Sequence, residues 1–450
     1  MGIYLSPNLR KISNGDSALV YDCKTGKNLI LHKGALVVMD LLARGMTPKE
    51  IMEEYEAPGL DSLFENLKEK KLIITNAEDI PNPKCTTSED QIVSGRLLQH
   101  LRLNVTERCN LDCTYCFERE SNIYGKKRVM EWDIARKAID EFISLAIENK
   151  QSRISVRFFG GEPLLNWNLV DRCIEYVKEI TPDDIHVSFI MNTNGTLIND
   201  EIALKLSENK VAISLSLDGV GTYHDNTRKY INGQGSFDII DKNIDILIRN
   251  QCQFNLSVVC SDFNFPHLRE LIDYMKKKQD EKGYRMSVNF NNIQICNREG
   301  VDMLPIKEKV GYLVDVLKYA REVGIYSYGG LTHFVFDKLV RGSIGNYCAG
   351  TGSEFSVDPD GNILPCSGQQ IVLGTLNNFR DIFKSEIYKQ LAIRRAGYIS
   401  QCVDCDVEGF CAGGCLAEVM SDSGKEKGTY RGCDLQKHTF TELVKEYILS

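Results

Sequence analysis

Between residues 99 and 325, short runs rich in β-branched and aromatic residues alternate with longer stretches whose apolar residues recur every three or four positions. The short runs predict strands at Leu101–Val105, Ile154–Phe159, Ile185–Met191, Val211–Leu217, Phe254–Cys260 and Met286–Ile293. The longer stretches predict helices at Trp132–Glu148, Asn166–Glu179, Asn199–Ser207, Phe237–Arg249 and His267–Lys282. In the first of these Ile134, Ala138, Phe142 and Leu145 share a face. Continuous apolar strands separated by helices argue for a parallel sheet. The six βα units make an open, partial (β/α)6 version of the eightfold barrel. The chemistry of such barrels sits at the C-terminal ends of the strands.

The pattern changes on either side. Ala18–Lys24 and Asn28–His32 read as strands joined at Thr25-Gly26-Lys27. Helices follow at Ala35–Ala43, from Thr47-Pro48-Lys49-Glu50 (a capping box with proline at the first helical position), and at about Asp61–Lys70. Leu72-Ile73-Ile74 adds a short strand, so residues 1–75 form a winged-helix-like α+β unit. Residues 76–95, with Pro81, Pro83 and Thr86-Thr87-Ser88, have a linker composition. The barrel then occupies 96–325. Residues 326–346, with Gly329, Gly330, Gly342 and Gly345, bridge to a cysteine-rich domain over 347–450.

Composition narrows the function. The chain has 450 residues, 43% hydrophobic and 26% charged, with a net charge of −8. A winged-helix-like unit suggests DNA binding, but residues 1–75 carry ten Lys/Arg against ten Asp/Glu and no basic face. Nucleic acid and anionic membranes are therefore disfavoured partners. Met1–Asp16 is polar and mixed, and no apolar run approaches the ~20 residues that span a bilayer. A soluble, cytoplasmic protein is expected. Sixteen cysteines in a reducing compartment read as metal ligands where they cluster. Three lie at 109–116 and seven between Cys348 and Cys433. The others (Cys23, Cys85, Cys173, Cys252, Cys260 and Cys296) sit mostly on apolar segments and read as buried small hydrophobes.

Cys109, Cys113 and Cys116 have C-x3-C-x2-C spacing directly after the first barrel strand, with Tyr115 before the last. Three thiolates can hold three irons of a [4Fe–4S] cube and leave the fourth iron open to a small chelating molecule. A structural zinc site or three buried structural thiols are the alternatives, but zinc wants four ligands and the motif has no histidine. The motif resembles that of the radical S-adenosylmethionine (SAM) superfamily. The resemblance implies that Cys109, Cys113 and Cys116 bind the cube and that the backbone near Tyr115 lies against the adenine. The open iron would chelate SAM, whose reductive cleavage gives a 5′-deoxyadenosyl radical that abstracts hydrogen. Phe159-Gly160-Gly161-Glu162-Pro163 ends the second strand and resembles the family's GGEP motif. Its backbone and Glu162 would then meet the SAM amino group, a carboxylate facing an ammonium. By the same resemblance Asn194, Ser216 and Arg228, at or after the third and fourth strand ends, face the ribose and carboxylate of SAM. Read alone, these polar strand ends are also ordinary turn and cap residues.

The C-terminal array runs Cys348, Cys366, Cys402-x2-Cys405-x5-Cys411-x3-Cys415, Cys433. A zinc pair would need eight ligands, with His438 as the nearby extra donor. Spacing by spacing the string resembles the SPASM domain, which carries two auxiliary [4Fe–4S] clusters. Cys348, Cys366 and Cys415 would hold the first. Cys402, Cys405, Cys411 and Cys433 would close the second. The first either recruits a scattered cysteine or keeps an iron open for a substrate thiolate. The N-terminal unit resembles the small PqqD-like peptide-recognition domain (RRE) of radical SAM peptide maturases, where a leader peptide adds a strand to the sheet edge. A purely structural cap is the alternative. Together these resemblances imply three [4Fe–4S] clusters and SAM, a precursor peptide bound through its leader, and a flavodoxin- or ferredoxin-type electron donor. The implied reaction is a cysteine thioether cross-link of the sactipeptide or ranthipeptide kind, with no catalytic side chain assigned. Alternatives are carbon–carbon cross-linking, anaerobic sulfatase maturation, and a non-catalytic iron–sulfur or zinc regulator. Sulfatase-maturing relatives place an aspartate base after the cysteine matching Cys366, where this chain has Ser367.

Overall fold

A computed structural model describes residues 4–74, 87–116, 127–292, 304–327, 347–368, 371–423 and 432–449. Part of the expected linker, most of the expected bridge, Cys85 and Cys296 lie outside the described residues. The chain forms two compact units. One comprises residues 1–86, 331–348 and 393–450, the other 87–330 and 349–392.

In the first unit β1 (Tyr4–Leu5) pairs antiparallel with β5 (Ile73–Ile74). The strands β2 (Leu9–Asn14), β3 (Ser17–Asp22) and β4 (Asn28–His32) form an antiparallel sheet with β3 in the centre. The sequence reading missed β2, where Arg10 and Lys11 obscure the alternation. The helices α1 (Lys33–Ala43), α2 (Pro48–Glu54) and α3 (Leu60–Glu69) follow. The capping box at α2 is formed: Thr47 N donates to Glu50 Oε2 at 2.7 Å, and Glu50 N to Thr47 Oγ1 at 3.3 Å. Val20, Leu31, Val38, Leu42, Ile51 and Leu67 share one core. On β3, Ala18 to Asp22 are all buried, because both faces of the strand are covered. Tyr21 turns away from that core. Its ring lies 4.9 Å from Phe410, and its hydroxyl donates to Asp406 O at 2.8 Å.

In the second unit the strands β6 (His100–Thr106), β7 (Arg153–Gly160), β8 (His186–Thr193), β9 (Ala212–Ser216), β10 (Phe254–Cys260), β11 (Ser287–Asn292) and β12 (Tyr326–Ser327) run parallel, each beside the next. The strand β13 (Glu354–Val357) adds parallel to the other edge of β6, and the antiparallel β14 (Asn362–Leu364) and β15 (Gly374–Thr375) extend it. Residues 349–392 thus continue the barrel sheet. A short helix, Glu89–Val93, capped by Ser88, occupies the end of the expected linker.

The barrel strands are less uniformly apolar than the sequence reading took them to be. Leu101, Leu103, Val156, Phe158, Ile213, Leu215, Leu256 and Val258 are buried on one face. Helices such as Trp132–Glu148 and Phe237–Arg249, with buried Phe142, Ile244 and Leu247, supply apolar faces to match. The alternate positions (Arg102, Asn104, Ser155, Arg157, Asn192, Ser214, Ser216, Ser257, Asn289) are polar and share the opposite face. A parallel sheet buried on both sides reads as an apolar run. Here one face is polar, as a surface meant to receive a ligand requires.

Candidate SAM and iron–sulfur sites

The end of β6 leads into the cysteine loop. Cys113 feels both Cys109 and Cys116, so the three thiols occupy one electrostatic neighbourhood. Burial pushes Cys109 up to about 11 and Cys113 up to about 12. Such thiols stay protonated until a cation offsets the charge, which suits a metal centre better than a free nucleophile. Around them stand weak donors to sulfur. Leu111 N reaches Cys109 Sγ at 3.4 Å, Asn194 Nδ2 reaches it at 3.9 Å, and Arg228 Nη1 reaches Cys113 Sγ at 3.9 Å. This donor set fits a cube held by three thiolates.

The glycine pair braces that loop. Gly161 N donates to Thr106 O at 2.8 Å and Glu162 N to Arg108 O at 2.9 Å. A Cβ on Gly160 would lie 2.1 Å from Thr106 O, and one on Gly161 would lie 2.3 Å from Arg108 O. Only glycine permits the approach. Glu162 is almost wholly buried. Its Oε1 accepts from Thr193 Oγ1 at 2.7 Å and Leu164 N at 3.1 Å, and its Oε2 from Asn194 N at 2.7 Å. Burial raises its pKa to about 6 against the pull of those donors. Glu162 thereby ties the ends of β7 and β8 together, and one acceptor position remains on Oε2.

Asn194 joins the same network, its Nδ2 donating to Asn110 Oδ1 at 2.9 Å. Ser216 ends β9 on the polar face. Arg228 and Tyr115 meet at a residue absent from the expected site, Asp218. The Tyr115 hydroxyl and Arg228 Nε, the latter at 2.8 Å, both donate to Asp218 Oδ2. Thr227 Oγ1 donates to the same oxygen at 3.1 Å, and Val259 N reaches Oδ1 at 2.9 Å. The Arg228 guanidinium also lies 5.3 Å from the centre of the Tyr115 ring. His224, held neutral by burial with its pKa lowered to about 4, accepts from Asp218 N at 3.1 Å. The signal in sequence was Asp218-Gly219 after a strand, which reads equally as a turn.

In the first unit Cys402, Cys405, Cys411 and Cys433 line one small cavity, with Glu408 at its side. Burial pushes Cys402 up to about 12. Gly413 has φ +80°, and a Cβ there would come 2.2 Å from Ile399 Cδ1. The buried Arg394 donates to Gly414 O at 3.3 Å and bears electrostatically on Cys348, Cys402, Cys411 and Cys415. Four thiols around one cavity beside a buried guanidinium fit a fully ligated, negatively charged cluster. Cys366, the remaining expected ligand, follows β14 in the second unit. Cys23, Cys173, Cys252 and Cys260 are buried.

A parallel barrel with three thiols after its first strand, and a second set of four thiols around one cavity, has the donor chemistry that an iron–sulfur protein needs. Residues 103–275 match the radical SAM superfamily, and residues 348–406 match the SPASM iron–sulfur cluster-binding domain. The chain carries a radical SAM domain and a SPASM domain and is a radical SAM enzyme. It is 26% identical over 373 residues to the radical SAM cyclopropyl synthase TigE of Paramaledivibacter caminithermalis, covering 79% of this chain and 76% of that one. Its fold resembles anSMEcpe with bound AdoMet and the Cp18Cys peptide (TM-score 0.64, 21% identity, 78% of this chain and 98% of that chain). It also resembles Streptococcus suis SuiB bound to the precursor peptide SuiA (TM-score 0.53, 14% identity, 95% and 98%). Among the described residues no helix is long and apolar enough to cross a membrane.

Proposed function

We propose that this enzyme modifies a ribosomally made precursor peptide, closing a thioether between a peptide cysteine and a carbon of the same peptide. The observation that carries the reading is the four-thiol cavity of Cys402, Cys405, Cys411 and Cys433, carried on the same chain as the Cys109–Cys116 loop. The first cluster with SAM supplies hydrogen-atom abstraction, and auxiliary clusters supply an acceptor for the electron that ring closure releases. The peptide would give up one hydrogen atom from carbon and one proton from sulfur, and a cluster held by the auxiliary cysteines would supply the acceptor for the remaining electron, while a flavodoxin- or ferredoxin-type donor would supply the electron that cleaves SAM. In this chain Glu162 Oε2 takes the SAM ammonium, Asn194 and Ser216 flank the nucleoside, and Asp218 fixes Arg228 and Tyr115 beside the thiols. By sequence spacing alone, Cys348, Cys366 and Cys415 are the expected ligands of the first auxiliary cluster, which would leave an iron for the substrate sulfur.

The leader takes the edge of β4. The opposite edge strand, β2, packs against the helix Cys433–Ile448. Ile30 on β4 and Val37 on the following helix α1 are 45% and 50% exposed. An extended peptide added there gains backbone hydrogen bonds and an apolar seat. The SuiA-bound SuiB structure supports a precursor peptide as the class of substrate. Ser367, in place of an aspartate base, argues against sulfatase maturation.

The test is anaerobic incubation of iron-loaded enzyme with SAM, dithionite and a cysteine-containing precursor peptide. The wild type is expected to release 5′-deoxyadenosine, and Cys113→Ala none. The peptide is expected to lose two hydrogens per cross-link, and alkylating its thiols should abolish that loss. Zinc in place of iron, or no deoxyadenosine from loaded enzyme, would overturn the reading. The resemblance to a cyclopropyl synthase favours carbon–carbon closure as the second reading. That reading predicts the same mass loss with every thiol still free.

A further inference from the structure

The polar face of the barrel sheet carries an uneven charge. Arg102 on β6 and Arg157 on β7 stand in direct register. Both turn to one carboxylate, Glu354 on β13, whose side chain is 1% exposed. Arg102 Nη2 lies 3.0 Å from Glu354 Oε1, and Arg157 Nη1 lies 2.7 Å from Oε2. Around them His100 Nδ1 meets Ser155 Oγ at 2.8 Å, and Arg157 Nε donates to the same hydroxyl at 3.3 Å. His100 is neutral, its pKa lowered to about 4 by burial and by Arg157. Among the described residues, the positions of β6 to β11 on this face hold no Asp or Glu. Two guanidiniums therefore share one negative charge, and one positive charge is left over.

That charge is accessible. The two arginine side chains are 20% and 23% exposed, while Glu354 beneath them is shut off from solvent. Arg157 Nη2 makes no hydrogen bond to a described residue, and Arg102 Nε is buried without one. One step further along β6 toward the thiols, Asn104 is 8% exposed and its Oδ1 is likewise unpartnered. Buried polar atoms left this way are costly unless something fills the gap. Arg102 Nη1 also donates to Ser367 Oγ at 3.0 Å, so the pair sits against the residue that follows Cys366. In this chain that position adds no acid to balance the arginines.

We propose that Arg102 and Arg157 form a subsite for a carboxylate of the substrate peptide, held by a guanidinium fork over the Glu354 floor. The proposal rests on the peptide-maturase reading and adds to it a substrate feature: an Asp or Glu side chain, or the C-terminal carboxylate, close to the modified residue. A carboxylate is an acceptor of the kind that the uncommitted Arg157 Nη2 lacks, and it completes the charge balance.

The test uses full-length, iron-loaded enzyme and fluorescein-labelled twelve-residue Gly/Ser/Cys peptides. One bears a central Asp and an amidated C-terminus, one Asn and an amidated C-terminus, and one Asn with a free C-terminal carboxylate. Fluorescence anisotropy is expected to give the Asp or the free-carboxylate peptide about tenfold tighter binding than the Asn amide, roughly 1.4 kcal/mol. Whichever peptide gains identifies the source of the carboxylate. Arg102→Gln and Arg157→Gln are expected to erase the gain and leave the Asn amide unchanged. Glu354→Gln is expected to enlarge it, an effect that a misfolded variant would not produce. Equal binding of all three peptides, no measurable binding, or a gain that survives both arginine variants would overturn the proposal. Deoxyadenosine release without peptide, measured on the same samples, separates the two readings. Release without charge discrimination removes only the subsite, and discrimination without release removes only the radical chemistry.

Discussion

At Glu162 three donors converge on one buried carboxylate, yet burial still raises its pKa from 4.5 to about 6. The fold thus favours the protonated form of this group. Acidifying from pH 7 through 6 towards 4.5 costs the fold nothing at Glu162, since the native state takes up the proton more readily than the unfolded chain. What it removes is the charge that meets an ammonium. SAM binding is expected to weaken about tenfold for each pH unit below 6 while the melting temperature shows no loss from this group. Glu162→Gln should bind SAM weakly and without that pH dependence; isothermal titration between pH 5 and 8 decides it. At Asp218 the partner, Arg228, is a buried cation with a side chain only 10% exposed. Asp218→Ala leaves that charge unpaired and should cost about 3–5 kcal/mol, read in a denaturant titration of the apoprotein. Asp218→Asn keeps the shape and should cost less. The cysteines and the Gly160-Gly161-Glu162 turn were legible in sequence because their chemistry lies in residue type and spacing. Asp218 was not, because an Asp-Gly pair after a strand gives the same signal whether it makes a turn or a charge hub.

Among the elements, β2 shows what periodicity hides. Its Leu-Arg-Lys-Ile-Ser-Asn composition looks like a loop, but Arg10 and Ile12 are buried. Arg10 is buried because Glu408, on the short helix Glu408–Cys411, waits for it: Nε donates to Glu408 Oε2 at 2.8 Å, and Nη2 bonds the same oxygen. Glu408 also accepts from Gly397 N at 2.5 Å through Oε1. The strand therefore braces the loop that carries Cys405 and Cys411, a long-range pairing that no local pattern encodes. The barrel strands and their helices were legible because each unit is local and amphipathic. The extension by β13 was not, since its partner β6 lies about 250 residues earlier in the chain. Arg10→Met strands the Glu408 carboxylate and is expected to cost about 3 kcal/mol. It should also lower the iron content by about four atoms per chain where the four-thiol cavity holds one cube. Arg10→Met with Glu408→Leu should recover much of the stability, because it replaces the pair rather than breaking it. Denaturant melts with iron and sulfide assays across this double-mutant cycle test the coupling; a single mutant that keeps all its iron would refute the brace.

On the scale of the whole molecule, residues 1–86 and 393–450 fold as one unit. The N-terminal sheet and the four-thiol cavity are parts of a single body, with Tyr21 bonded to Asp406 O and Arg10 to Glu408. An N-terminal domain that served only to hold a leader would be dispensable for any peptide presented without one. Deleting residues 1–75 would then leave iron content and turnover of a leaderless peptide intact. The shared body gives a different expectation. Removal of β2 and β3 exposes Phe410 and strands Glu408, so the loop between Cys402 and Cys411 loses its support. The truncated enzyme should keep the Cys109–Cys116 cluster, because that site belongs wholly to the other unit. It should lose the iron of the four-thiol site, and with it the electron's way out after ring closure. Deoxyadenosine would still form from SAM and dithionite, while the two-hydrogen mass loss would disappear even for a leaderless peptide. Full iron and full cross-linking in the truncated enzyme would return the N-terminal unit to the role of a leader clamp alone.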